Sequence, residues 1–332
     1  MKFPISSFKF RPSPARAAAG IVSRAKNVAA FSPAFSLVEV LITVTLLALI
    51  VLALMQVFSS TQTAFRASVT QTDVLEGSRN AMQMIADDLR GMRHADGKYL
   101  ATGNFISGTV ISTNPVNFFA LDNAYAYCSY FGPVLLYHPL PQTLPASTGV
   151  ARLNLLNYFF ILGSKNGKWT GVGYVVNATN EADLYPLYRF YAETNTSAPP
   201  VAMYRAFVDA VNQAQWTNMS HIMDGVVHLV ARAQDVNGVW LTNGYAFGQR
   251  QLGTNTWYSP PAWGEVSGMF FGNTVPAAVE LQMGVIEDRT LQRAESLPTY
   301  NARTNYLSQQ AGHVHVFRQL VTVPNVDPSA YQ

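Results

Sequence analysis

Cysteine is almost absent: Cys128 stands alone among 332 residues, so no disulfide can form within the chain. Whatever fold forms must rest on its apolar core. Charge is scarce as well. Asp, Glu, Lys and Arg together make 12% of the sequence, about half the ordinary share of roughly 25%. Acids are missing altogether from the first 38 residues, which carry Lys2, Lys9, Arg11, Arg16, Arg24 and Lys26. That block accounts for the formal charge of +3. Beyond residue 34 there remain 16 basic residues against 19 acidic ones, a balance of −3. The basic character is therefore a targeting feature and gives no support to nucleic-acid binding.

Chemistry-bearing patterns are equally thin. The sequence has no Gly-rich phosphate loop, no Gly-x-Ser-x-Gly turn and no basic stripe. We read no catalytic set and no cofactor site, and we expect no enzyme. His313 and His315 place two imidazoles on one strand face, but no Cys, His or carboxylate cluster at ligand spacing accompanies them. They read as an edge-strand pair, with no metal. Asp235 and Asn237 supply too few oxygens for Ca²⁺ and read as a turn. Asp87 and Asp88 read as a solvated helix face or a salt bridge to Arg90 or Arg93.

What the sequence does have is one long apolar run. Leu37 to Phe58 contains a single charge, Glu39. As an α-helix these 22 residues reach roughly 33 Å, enough to cross a bilayer's hydrocarbon core. The cations before it predict that the N-terminal block stays cytoplasmic and that the remainder is exported. An ordinary secretory signal is cut after its apolar core. Here the small residue, Ala34, precedes the core and is followed by Phe35, with Glu39 four residues beyond. An acid in such a run is costly without a partner. A free amine at Phe35 of one subunit and Glu39 of the next would neutralise each other.

The motif Ala34-Phe35-Ser36-Leu37-Val38-Glu39-Val40 resembles the cleavage and methylation site of type IV prepilins, although the residue before the cut is usually Gly in that family. The resemblance implies that a prepilin peptidase removes residues 1–34 between Ala34 and Phe35 and that Phe35 is N-methylated. It also implies that Glu39 serves assembly by charge pairing. The segment Asn80–Arg93, the Gly171–Val176 and Leu187–Tyr191 pair, the stretch Met223–Trp240 and the stretch Val275–Glu287 resemble the J-type minor pseudopilins of type II secretion and their pilus counterparts.

Along the chain, Phe65, Val69, Leu75, Met82, Ile85, Leu89 and Met92 recur mostly at helical spacing and predict an amphipathic continuation to about His94. From residue 105 the period shifts towards two. Strands are predicted at 108–112, 116–121, 125–137, 156–162, 171–177 and 186–193, with an exposed loop over 139–149. A helix is predicted over 201–214, with Val201, Tyr204, Phe207, Val208 and Val211 on one side. An amphipathic segment over 290–311 and a strand over 313–323 follow, with a loose end after Pro324. No counterpart can be placed for 241–274.

The reading is an α+β, pilin-like fold, a long N-terminal transmembrane and amphipathic helix followed by an antiparallel β-rich domain. Its parts are a leader (1–34), a membrane half-helix (35–58), an amphipathic half-helix (59–95) and a globular domain with insertions (96–332). The expected role is a structural minor pilin or pseudopilin at a filament tip or initiating position. Its partners would be the prepilin peptidase, other pilins and an inner-membrane assembly platform, with the C-terminal domain periplasmic or exported. The alternative is a signal-anchored exported adhesin or binding module.

Overall fold

The computed structural model describes residues 36–95, 115–122, 140–144, 151–178, 184–195, 200–238, 256–259 and 267–331. The strands predicted at 108–112 and 125–137 lie outside these. The chain divides into two compact units, one ending at Thr61 and the other beginning at Gln62.

Helix α1 runs unbroken over Leu37–Arg90. Its first part is apolar and exposed throughout. Among the described side chains of the helix, burial begins at Val74, and Ala81, Met82, Ile85, Ala86, Leu89 and Met92 then sink into the core. Phe65 and Val69, expected on the packed stripe, are exposed at 70% and 44%. The stripe at helical spacing is real, but the β domain covers only its C-terminal portion.

The strands are β1 (Val116–Asp122), β2 (Pro141–Thr143), β3 (Ala151–Leu153), β4 (Asn157–Lys165), β5 (Lys168–Val176), β6 (Leu187–Asn195) and β7 (Ser220–Met223). They continue as β8 (Val226–Gln234), β9 (Thr256–Ser259), β10 (Ser267–Phe271), β11 (Ala278–Ile286) and β12 (Val314–Thr322). Helix α2 (Val201–Asn212) follows β6, and α3 (Asp288–Glu295) and α4 (Tyr300–Ser308) lie between β11 and β12. The largest sheet has the order β7-β6-β5-β4-β1-β10-β9, and a second has the order β12-β11-β8. Every pairing within them is antiparallel. The molecule is thus mixed helix and antiparallel sheet behind one long apolar N-terminal helix.

The central strands β4 and β5 of the seven-stranded sheet are buried on both faces over most of their length, which explains why they read as apolar runs rather than alternating ones. Phe118, Phe159, Ile161, Val172 and Tyr174 share a core with the end of α1 and the second sheet. Phe119, Tyr158, Phe160, Leu162 and Phe190 share another with Met203, Tyr204 and Phe207 of α2. The aromatic run Tyr158-Phe159-Phe160 is therefore sheet-face packing. Phe119 and Phe160 both meet Tyr204 edge-on, at 5.2 and 5.6 Å between ring centroids.

β1 changes register between Val116 and Phe118. The residue at the irregularity, Asn117, is fully buried and spends its amide on three backbone groups. It accepts from Ala95 N at 3.0 Å and donates to the carbonyls of Gly272 and Thr274, each at 2.7 Å.

Three expectations change. The segment 139–149 is not simply a loop, because Pro141–Thr143 pairs with Ala151–Leu153. Gln142 is buried there and donates to Leu307 O, and Asn154 donates to Leu140 O and Gln142 Oε1. The 290–311 segment is two helices, α3 and α4, because Pro298 cannot continue the first; Thr299 then caps the second through Ala302 N. The tail after Pro324 is tied down. Asn325 donates to Met92 O at 3.0 Å and accepts from Arg93, while Asp327 accepts from Asn273.

Helix α2 approaches the sheet over two glycines. A Cβ on Gly173 would lie 2.3 Å from the Phe207 ring, and one on Gly171 would lie 3.1 Å from Met203 Cβ. Phe207 is flanked by Phe160 and Phe190 at 6.0 and 5.6 Å, so the ring has little room to swing aside. Gly173→Ala should therefore lower stability by about 1–3 kcal/mol through overpacking. Gly312→Ala, where the added methyl meets nothing within 4 Å, should change it by less than about 0.5 kcal/mol. Urea midpoints measure both, and equal values would contradict the account.

Candidate functional site

The motif that carries the sequence reading lies at the head of α1. Ala34 and Phe35 fall outside the described residues, whereas Ser36 and Glu39 are within them. Ser36 begins the helix: its carbonyl accepts the first helical bond, from Val40 N at 3.2 Å. Its hydroxyl accepts from Glu39 N at 3.2 Å, and the Glu39 carboxylate accepts from Ser36 N at 3.4 Å. This is a reciprocal capping box, in which two otherwise orphaned amides are satisfied. The negative charge also sits where the helix dipole favours it. The pattern Ser-x-x-Glu before an apolar run was a legible signal for this cap, and it gives Glu39 a partner within its own chain.

Beyond the cap, the 30 residues Leu37–Arg66 contain an 18-residue window of mean hydropathy 2.8, none of it buried. At about 1.5 Å per residue this is long enough to cross a membrane. Its hydroxyls are turned back onto the helix: Thr43, Thr45 and Thr61 donate to the carbonyls of Val40, Ile42 and Val57 at 2.8–2.9 Å. Such bonding leaves fewer polar groups to be desolvated when the surface enters an apolar medium.

The two neighbouring acids near the end of α1 have different fates. Asp87 takes up Arg90 on an exposed face, as expected. Asp88 pairs with neither Arg90 nor Arg93. It accepts two bonds from Arg189 of β6, from Nε at 2.9 Å and from Nη2 at 3.0 Å, and a third from the Tyr174 hydroxyl of β5. Arg189 Nε also lies 3.2 Å from the Tyr174 oxygen. The fork of the guanidinium matches the carboxylate on both oxygens. Burial first, and then the Asp88 charge, push the Tyr174 hydroxyl well above its ordinary pKa, so it donates at every working pH. For Arg189, burial alone would lower the pKa, but the bonds to Asp88 outweigh it and the net shift is upward. The cluster fixes the end of α1 to the β5–β6 hairpin.

A second buried group ties the two larger sheets. Leu155 N donates to His228 Nδ1 at 3.0 Å, next to the bridge between Leu156 and Leu229. Burial, and then the nearby Arg152 charge, push the His228 pKa down to about 4. The imidazole is neutral in the fold, because a proton on Nδ1 would face a backbone N–H. Asp235 and Asn237 form the expected turn, with Asn237 N donating to Asp235 Oδ1 at 2.9 Å. Trp240 lies outside the described residues. Among the described residues, no group of three or more His, Cys, Asp or Glu side chains is placed so that it could hold a metal ion.

Comparison with family models, with curated proteins and with solved structures finds no match to this chain.

Two outcomes follow from these contacts. Asp88→Ala leaves the buried Tyr174 and the partly buried Arg189 without their acceptor and should cost about 2–3 kcal/mol. Asp87→Ala should cost under about 0.5 kcal/mol; denaturant unfolding distinguishes them, and similar losses would refute the assignment. For His228 the folded pKa lies below the unfolded value of about 6.5, so the unfolded chain binds the extra proton. Its contribution is complete above about pH 6.5 and is lost as pH falls towards 4, by about 3 kcal/mol at most. His228→Asn, which keeps an acceptor but cannot titrate, should flatten the pH dependence of Tm across that window. An unchanged slope would show that other groups govern it.

Proposed function

We propose that this chain is a pilin-like structural subunit, made as a precursor, cut by a prepilin peptidase between Ala34 and Phe35, and assembled with sister subunits. The observation that carries this reading is the lone acid, Glu39, in the first turn of an exposed apolar helix directly after Ala34-Phe35. The apolar part of α1 would lie in the inner membrane before assembly and among sister helices afterwards. The mixed helix and antiparallel-sheet domain would follow on the exported side, as a minor pilin or pseudopilin fold. Domain bulk favours a tip or initiating position over the repeating shaft. Partners under this reading are the peptidase, other pilins and an inner-membrane assembly platform.

The capping box favours a second reading, a plain signal anchor carrying an exported binding module. There Glu39 only caps its own helix and no neighbour's amine is needed. The two readings differ in what they require of the residue: pairing requires a charge, whereas capping requires an acceptor, which Gln also supplies.

The N-terminal mass of the membrane-derived protein tests processing. A chain beginning at N-methyl-Phe35 is the expected result, and one beginning at Met1 or cut beyond Phe58 would overturn the proposal. Glu39→Gln should then abolish co-assembly with sister pilins, at least about tenfold in crosslinked yield, while export is unchanged. Wild-type assembly by this variant would reduce Glu39 to a cap.

A further inference from the structure

Strand β12 is an open edge. It forms one side of the second sheet, whereas the other outer strand, β8, is covered where Leu229 N donates to Leu155 O at 2.8 Å. The seven-stranded sheet ends in short strands, with four described residues each in β7 and β9. β12 instead runs for nine residues without a proline or a bulge and pairs with β11 along its whole length. Its end bonds show which backbone groups remain. Val323 N donates to Ala277 O and Glu287 N donates to His313 O, both at 3.0 Å. By antiparallel alternation the odd-numbered residues face β11, and the N–H and C=O groups of Val314, Val316, Arg318, Leu320 and Thr322 point away from the sheet. Among the described residues these groups have no backbone partner. Such an edge is a ready template for another strand, and native proteins usually blunt it.

The side chains of the same residues share one sheet face with Glu280, Gln282 and Gly284 of β11 and with Arg232 of β8. Val316 and Leu320 are exposed there at 49% and 53%. The face is cationic. Glu280 is buried and bonds Arg318, whose side chain is 63% exposed, and Arg232 stands opposite the same carboxylate. Arg152 of β3 reaches over Gly284, its Nη2 lying 3.5 Å from where a Cβ would be. Burial lowers its pKa, with no carboxylate to offset the shift. Glu287, just beyond β11, spends its oxygens on His313 Nδ1 and His315 Nε2 at 2.9 and 3.0 Å. Three guanidinium groups thus meet one carboxylate here, on a chain whose balance beyond residue 34 is −3.

We propose that β12 is a docking edge for an extended, acid-bearing segment of a partner protein, which adds antiparallel as a fourth strand. Its main chain would take up the outward N–H and C=O groups, and its apolar side chains would cover Val316 and Leu320. An Asp or Glu between them would stand opposite Arg318. A second copy of β12 fits less well, because the two-fold register that pairs Val316 with Leu320 sets Arg318 against Arg318. The inference goes beyond both readings of the N-terminal helix and rests on neither.

The test uses the full-length, detergent-solubilised protein and a fluorescein-labelled peptide, Thr-Thr-Val-Thr-Glu-Thr-Val-Thr-Thr. Its Glu falls opposite Arg318 when its Val residues cover Val316 and Leu320. Fluorescence anisotropy should show saturable binding, and Lys in place of the peptide's Glu should weaken it by about tenfold or more. Val316→Pro and Leu320→Pro each remove one outward N–H without touching the β11 ladder, and each should weaken binding by about tenfold or more. Tyr191→Ala, exposed on the other sheet, should leave it unchanged. Circular dichroism checks folding, and the second proline variant serves if the first does not fold. No saturable binding to the parent, equal binding in a folded proline variant, or equal binding of the Lys peptide would overturn the proposal. So would a parent dimer in sedimentation that Val316→Pro dissolves, since the edge would then belong to a second copy.

Discussion

Burial of the central strands β4 and β5 on both faces is the constraint to which the rest of the domain answers. A sheet with two apolar faces needs two covers, and they come from separate stretches of chain: the end of α1 on one face, α2 on the other. The requirement shapes the sequence of β4, where Tyr158 to Leu162 is apolar without a break. It also shapes α1, whose burial starts, among its described side chains, where the domain reaches it, at Val74. Asp88 sits beside that buried stripe. A carboxylate there must be paired or the packing fails, and Arg189 with Tyr174 supplies the pairing from the strands it rests on.

Much of this architecture was legible because its signals are local. The long helix, the β5–β6 hairpin around a polar loop, α2, β11 and β12 follow from periodicity and turn residues within short windows. The hairpin register places Tyr174 opposite Arg189. What escaped is long-range. Nothing near Asp88 in the sequence announces a partner 101 residues away, and two nearer arginines offered themselves. The three-residue strand β2 is too short to show a period, and it is held by side-chain amides from elsewhere. Two misses had visible signals: Pro298, which divides α3 from α4, and Ser36, whose place three residues before Glu39 marks a cap. The convergence of His313 and His315 on Glu287 was invisible, since only the β11–β12 pairing brings them together.

At the head of α1, the physics of one chain and the physics of an assembly make different uses of the same carboxylate. A capping box stabilises a helix start locally and needs no neighbour. That removes the argument that an acid in an apolar run must seek a partner in another subunit. The pilin reading stands instead on the conjunction of Ala34-Phe35, the position of Glu39 and the length of the helix that follows.

The seating of Phe207 over Gly173, with Met203 over Gly171, binds two distant parts of the sequence into one unit of variation. The sheet is recessed by the absence of two methyl groups, and the helix fills the recess with the Phe207 ring at one and Met203 at the other. Neither position can change freely on its own: a side chain at 173 displaces the ring, and a small residue at 207 leaves a void that the glycines cannot fill. In descendants of this chain, glycine in β5 and an aromatic residue in α2 should be kept or lost as a pair.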